Sequence, residues 1–367
     1  METRNERVTP FKAVPPGAVL KEELEEREIS QKEFSEMIEM RPSHLNELIK
    51  GKRSVTVPIA QKLEQALGIR AHFWLNMQTN YELDVKAIQE RDDKDKQARI
   101  LLDEYDECID VNALCKHDGI NTKSPHLILS YLNERYRLPE PKVMRAHISR
   151  LVKGYFRKSQ KTGVDARMIA TWALIARKES LKEPAPRLFD KERISDLISE
   201  LNAIFTLNAD TLAKVKRCLY DYGIRFTVVE KLPHASVDGF SFIQDKIPSI
   251  VLTLRIKTID NLAFNVMHEL CHIKYHLKSD DDERISSNEF ECKDKEEEEA
   301  DKFATNALIS SEVWKSSPKV RLSPYSIQQC YSKWATENGL NKWIVLGRIS
   351  HETGMYKFRA DSSRQIN

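Results

Sequence analysis

The chain has 367 residues, 41% of them hydrophobic and 31% charged, with 58 Lys+Arg against 56 Asp+Glu. That length holds two or three domains with a substantial core, and a net charge of +2 points to no particular partner. No apolar run approaches the ~20 residues of a membrane helix, and Met1–Arg7 lacks the apolar stretch of a secretion signal. Six scattered cysteines form no CxxC pair. A cytoplasmic protein with no membrane partner is expected, whose metal site, if it has one, uses histidine and carboxylate rather than thiolate.

In the first 85 residues the helix signals come in quick succession. Pro15-Pro16-Gly17 opens a helix through Val19, Leu20 and Leu24. Ser30, with Glu33 three residues on, forms a capping box for a second helix that carries Phe34, Met37 and Ile38. After the turn Glu39-Met40-Arg41, Pro42 takes the first position of a third helix, with Leu45, Leu48 and Ile49 inward and Gly51 as its stop. Two short helices joined by a tight turn have the helix-turn-helix geometry. A fourth helix runs from Pro58 to Leu67, ended by Gly68, and a fifth holds Phe73, Trp74 and Leu75. The third helix would enter the major groove by its N-terminal end. That presents Arg41, Ser43, His44, Asn46 and Glu47 to bases, with Lys50, Lys52 and Arg53 toward phosphates. Residues 1–80 carry 12 basic and 12 acidic side chains. Binding to double-stranded DNA must therefore come from a local patch, and a protein-binding module is the competing reading.

The stretch from Pro16 to Leu83 resembles the HigA-type antitoxins of the XRE helix-turn-helix superfamily, through "GKRSVT", the "ALG" ending and "FWLNMQ". The resemblance implies operator binding as a homodimer and contact with a toxin.

Residues 86–200 read as a charged linker and a helical middle region. Asp84 to Arg99 is charge-rich and nearly free of large apolar residues, a solvated helix or a hinge. Helical patterns follow at 126–137, 142–152, 165–179, 191–204 and 209–222. Arg157, Lys158 and Lys161 read as a solvated face rather than a partner contact. No nucleotide-binding loop, nucleophile elbow or internal repeat is evident.

Within residues 201–367, three strands are expected, at 224–229, 239–243 and 249–254. The last of these could be a sheet edge that accepts a substrate chain as an added strand, or an internal strand. The stretch Phe264–His276 contains His-Glu-x-x-His among apolar residues. On a helix, His268 and His272 lie one turn apart on one face and can reach one ion. Glu269 can reach the open side of that ion and act as general base on its water. A third ligand is expected from residues 295–309, whose inward stripe is Ala300, Phe303, Ala304, Ala307 and Leu308. Helical phase puts Glu296 and Glu297 near the stripe and does not separate them. Asp301, one turn after Glu297, could orient a ligating histidine, which favours Glu297. His276 is too far along the helix to share the ion. His351 could approach from the C-terminal helix and steady an oxyanion.

"GFSFIQDKIPSIVLTLRIKTIDNLAFNVMHELCHIKYHL", "EEEEADKFATNALIS" and "WIVLGRISHETGMYK" resemble the ImmA/IrrE metallopeptidases, in a long form with an N-terminal XRE module. The resemblance implies one Zn2+ per chain on His268, His272 and Glu297, Glu269 as base, and a repressor or antitoxin protein as substrate in a stress or toxin–antitoxin response. The family usually has glycine where this chain has Cys271, which reads as a packing residue. The expected fold is mainly α with a small β-sheet (α+β): an N-terminal five-helix helix-turn-helix domain, a helical middle region and a C-terminal zincin-like metallopeptidase domain. The competing function is a non-proteolytic antitoxin or repressor that uses the metal domain as a sensor or partner-binding surface.

Overall fold

The computed structural model describes residues 9–151, 165–280, 282–287, 294–319 and 323–366. Met1–Arg7 and the basic positions Arg157, Lys158 and Lys161 lie outside the described residues. No helix among those described is long and apolar enough to cross a membrane. The chain divides into two compact units, residues up to Ile100 with Ser124–His126, and the remainder.

The first unit holds α1 (Pro16–Glu26), α2 (Gln31–Met37), α3 (Pro42–Ile49), α4 (Val57–Leu67) and most of α5 (Ala71–Asp106). The start signals act as expected: Pro16 and Pro42 occupy first turns, and Ser30 Oγ accepts the Glu33 N–H at 3.2 Å. Gly68 ends α4 with φ 75°, a left-handed conformation that costs glycine least. Leu20, Leu24, Phe34, Leu45, Leu48, Leu63 and Trp74 close one core. The two sequence segments "GKRSVT" and "FWLNMQ" meet physically, because the Gln78 side chain accepts the buried Val55 N–H at 3.0 Å. Residues 84–99 are helical throughout, within α5.

The second unit opens with α6 (Val111–Asp118), a helix not anticipated from the sequence, and continues with α7 (Pro125–Tyr136), α8 (Pro141–Leu151), α9 (Ala166–Leu181), α10 (Ile194–Leu207) and α11 (Thr211–Asp221). Then come β1 (Arg225–Val228), β2 (Gly239–Gln244), β3 (Ile247–Leu252), α12 (Ile259–Cys271), a π-helical turn His272–His276, and β4 (Glu283–Ser286). The described chain finishes with α13 (Lys295–Leu308), α14 (Ser311–Lys315), α15 (Pro324–Glu337) and α16 (Lys342–Thr353).

Among the described residues the sheet has four strands in the order β1-β3-β2-β4, parallel between β1 and β3 and antiparallel elsewhere. This corrects one expectation and decides between two alternatives. The three-strand count missed β4, which follows the His-Glu-x-x-His helix and is only four residues long. The strand read as a possible substrate edge, β3, is internal and hydrogen-bonded on both sides, so it cannot accept a further chain. Side-chain alternation sends Phe226, Ile250 and Leu252 to one face, against α12. Phe240, Phe242, Val251 and Ile285 go to the other face, against α9 and the middle helices. The sheet is thus buried on both faces, and α12 lies in one of its two cores.

Candidate functional site

Helix α12 is buried nearly all round: ten of its residues, including Asn265, His268, Glu269 and Cys271, are buried. His268 and Glu269 in this helix, and His272 in the π-helical turn that follows, need partners, because burying an uncompensated polar group costs several kcal/mol, on the order of 2–7. Each has one. His268 Nδ1 lies 3.1 Å from Asp301 Oδ1, and its Nε2 lies 3.3 Å from Glu297 Oε2. His272 Nε2 lies 3.2 Å from Glu297 Oε1 and 3.1 Å from His268 Nε2. One donor atom from each of His268, His272 and Glu297 falls within 4.8 Å of the other two, a group compact enough to hold one ion.

The start of α13 sets the carboxylate in place. Asp294 accepts the Glu297 N–H at 2.9 Å, fixing the first turn so that Glu297, Ala300, Ala304 and Leu308 form the buried stripe. Asp301 follows one turn after Glu297 and faces His268. Glu296, which helical phase did not separate from Glu297, is instead paired with Arg284 on β4. Glu298 and Glu299 are exposed.

Electrostatics follow from this geometry. Burial disfavours a cationic His268, but the bonds to Asp301 and Glu297 outweigh it and push the imidazole up to about 10. Burial likewise opposes ionisation of Glu297, and the two histidines override it, holding the carboxyl well below its ordinary value. The triad therefore favours positive charge at its centre, the condition a dication would meet. Two imidazole nitrogens and one carboxylate, with no thiolate, suit zinc chemistry. Cys271 stays a packing residue: burial first, then nearby glutamates, push its thiol up to about 12.

Glu269 is fully buried beside the triad but is not one of its donors. The Ser286 hydroxyl donates to its Oε1, while Oε2 has no hydrogen-bond partner among the described residues. Burial raises its pKa, opposed by His272, His268 and the Ser286 hydroxyl. Gly239 on β2, in register with Ser286 on β4, leaves the space that the Glu269 carboxylate fills. Neither Gly239 nor Ser286 was singled out from the sequence; a glycine inside a strand, a sign of close approach, was the available signal. A cleft beside His268 and Glu297 is lined by Asp238, Phe264, Asn265, Ser286 and Ser287. His351 is exposed on α16 and is not among these residues.

In the other unit, Arg41, Ser43, Asn46, Lys50 and Lys52 are exposed on and around α3, and His44, Glu47 and Arg53 are partly so. Arg53 Nε donates to Glu47 Oε2 at 3.1 Å, so the acidic residue of the reading face is engaged by a neighbouring cation. That pairing reduces the repulsion Glu47 would exert on a phosphate backbone.

Residues 20–74 match the helix-turn-helix family profile, and residues 221–337 match that of the IrrE N-terminal-like domain. The chain is 35% identical over 68 residues to the uncharacterized HTH-type transcriptional regulator YddM of Escherichia coli (strain K12), covering 18% of this chain and 72% of that protein. It is 36% identical over 72 residues to virulence-associated protein I of Dichelobacter nodosus, covering 19% of this chain and 67% of that protein. Among solved structures it is similar to an addiction module antidote protein of a HigA family from Coxiella burnetii, at 25% identity and a TM-score of 0.21, over 24% of this chain and 95% of that one.

Proposed function

The chain belongs to the XRE-type helix-turn-helix proteins and carries a metallopeptidase-type IrrE-like domain, and from that premise we propose that it is a DNA-bound regulator which hydrolyses a peptide bond in a partner protein. One observation carries the reading. A buried carboxylate, Glu269, stands beside a compact His268–His272–Glu297 triad without being one of its donors. A purely structural metal site has no use for a buried base at that position. Zinc held there would act as a Lewis acid and activate a water at neutral pH. Glu269, buried beside the triad without being one of its donors, is placed to take and return the proton. Asp301 orients His268, and a small cleft lined by Phe264, Asn265 and Ser287 opens beside His268 and Glu297.

The substrate we favour is a repressor or antitoxin bound near the same operator in the cytoplasm, with the helix-turn-helix module acting as a homodimer. A second reading, a non-proteolytic antitoxin that binds a toxin, draws on the antidote protein to which the N-terminal region is similar.

Two experiments test these assignments. Purified protein should carry one zinc per chain, lost in His268→Ala, His272→Ala and Glu297→Ala, and should cut a candidate repressor in a chelator-sensitive manner. Zinc-loaded protein that cuts no repressor or antitoxin encoded beside it would favour the second reading. For DNA, Lys52→Ala should weaken binding to every sequence and reduce the salt slope by about 1, whereas Asn46→Ala should change which sequence is preferred. Titrations at several salt concentrations decide it, and an unchanged slope would remove Lys52 from the phosphate contacts.

A further inference from the structure

We infer that His276 is a positioning residue for the metal centre, holding His272 in the tautomer that offers Nε2 to an ion, through the chain His272–His276–Glu299. The inference rests on the metal reading above.

The geometry is directional. His272 points Nε2 at the triad, 3.1 Å from His268 Nε2 and 3.2 Å from Glu297 Oε1. Its other nitrogen, Nδ1, lies 2.8 Å from His276 Nδ1. An imidazole that gives the Nε2 lone pair to an ion carries its proton on Nδ1. That proton needs an acceptor, so His276 Nδ1 must be bare. With Nδ1 bare, His276 carries its proton on Nε2, which lies 3.4 Å from Glu299 Oε2. Each assignment forces the next, and the chain ends on a carboxylate that is 61% exposed.

Backbone geometry supports the arrangement. Helix α12 does not continue as an α-helix past Cys271 but closes through a π-helical turn, in which the Leu277 N–H reaches back to the His272 carbonyl at 2.9 Å. Such turns concentrate at functional sites. The His276 side chain is itself only 6% exposed, so water is a poor substitute for it as acceptor. The two ligating histidines are therefore held differently: His268 by a carboxylate directly, His272 by a second imidazole.

The test uses full-length protein and zinc alone, measured by competition with a chromophoric chelator, together with the melting temperature of the metal-free protein. His276→Leu, which has no acceptor, should weaken zinc affinity about 10–100-fold with little change in melting temperature. His276→Asn, whose Oδ1 occupies the place of Nδ1, should recover affinity to within about threefold of wild type, because the acceptor is restored. His276→Gln puts carbon where Nδ1 stood and should behave like His276→Leu. If the leucine variant does not fold, the comparison of Asn with Gln decides alone. Glu299→Gln, at the exposed end, should cost no more than about fivefold. Equal zinc affinity in wild type and His276→Leu would overturn the relay while leaving the metal reading intact. Asn and Gln variants that lose zinc equally would reduce His276 to a packing role and also overturn it. Wild-type protein that binds no zinc would overturn the metal reading and the relay together.

Discussion

Glu269→Gln is expected to lower hydrolysis of a cleavable partner protein by about 10²–10⁴-fold while zinc content stays at the wild-type level. The amide keeps the shape of the carboxylate but cannot accept the proton. Gly239→Ala should produce a loss of similar kind without touching any ionisable group. A Cβ at position 239 would sit 2.1 Å from Glu269 Oε1 and 2.8 Å from Ser286 Oγ, closer than atoms can approach. The two backbones cannot yield cheaply, so the side-chain end of Glu269 is what must move. Strand β2 is paired on both edges, with β3 and β4, and α12 is packed into the core. The carboxylate must therefore turn away, and a displacement of about 1 Å at a reacting group can cost on the order of 10²-fold. Turnover and zinc content measured on both variants check this. Wild-type turnover in Gly239→Ala would show that the Glu269 carboxylate does not need the space the glycine leaves. Wild-type turnover in Glu269→Gln would end the peptidase assignment.

The second large effect is expected from Gly17→Ala in α1. The added Cβ would lie 1.9 Å from the Leu48 carbonyl oxygen and 2.6 Å from Ile49 Cα, both backbone atoms of α3. A flexible side chain could swing aside, but a helix backbone cannot, so α1 must lift off the reading helix. Overpacking of this kind costs about 1–3 kcal/mol or more, a large share of the roughly 5–15 kcal/mol that holds a typical domain together. Operator affinity of the full chain should fall by at least about tenfold, since 1.4 kcal/mol corresponds to one decade, and the first melting transition should move down. Zinc content should not change, because the triad belongs to the other compact unit. Wild-type DNA affinity in this variant would mean that the α1–α3 contact does not support the reading surface.

The sequence by itself determined what depends on neighbours a few residues apart. Ser30 with Glu33, Pro42, Gly68 and the spacing of His268 and His272 act within one helical turn, so their roles follow from caps, φ preferences and the 3.6-residue period. Asp301 could be paired with Glu297 for the same reason, and the apolar flanks of His268 already required a buried helix. Tertiary structure decided what long-range packing controls. Whether β3 is an edge depends on β4, which pairs with β2 only after the chain has passed through α12. Glu296 was paired with Arg284, and Glu269 acquired Ser286 and the space at Gly239, all through strand register that no local pattern encodes. His276 shows the division within a single stretch. Its spacing ruled out a shared ion, but its place beside His272 Nδ1 came from a π-helical turn that helix periodicity does not anticipate.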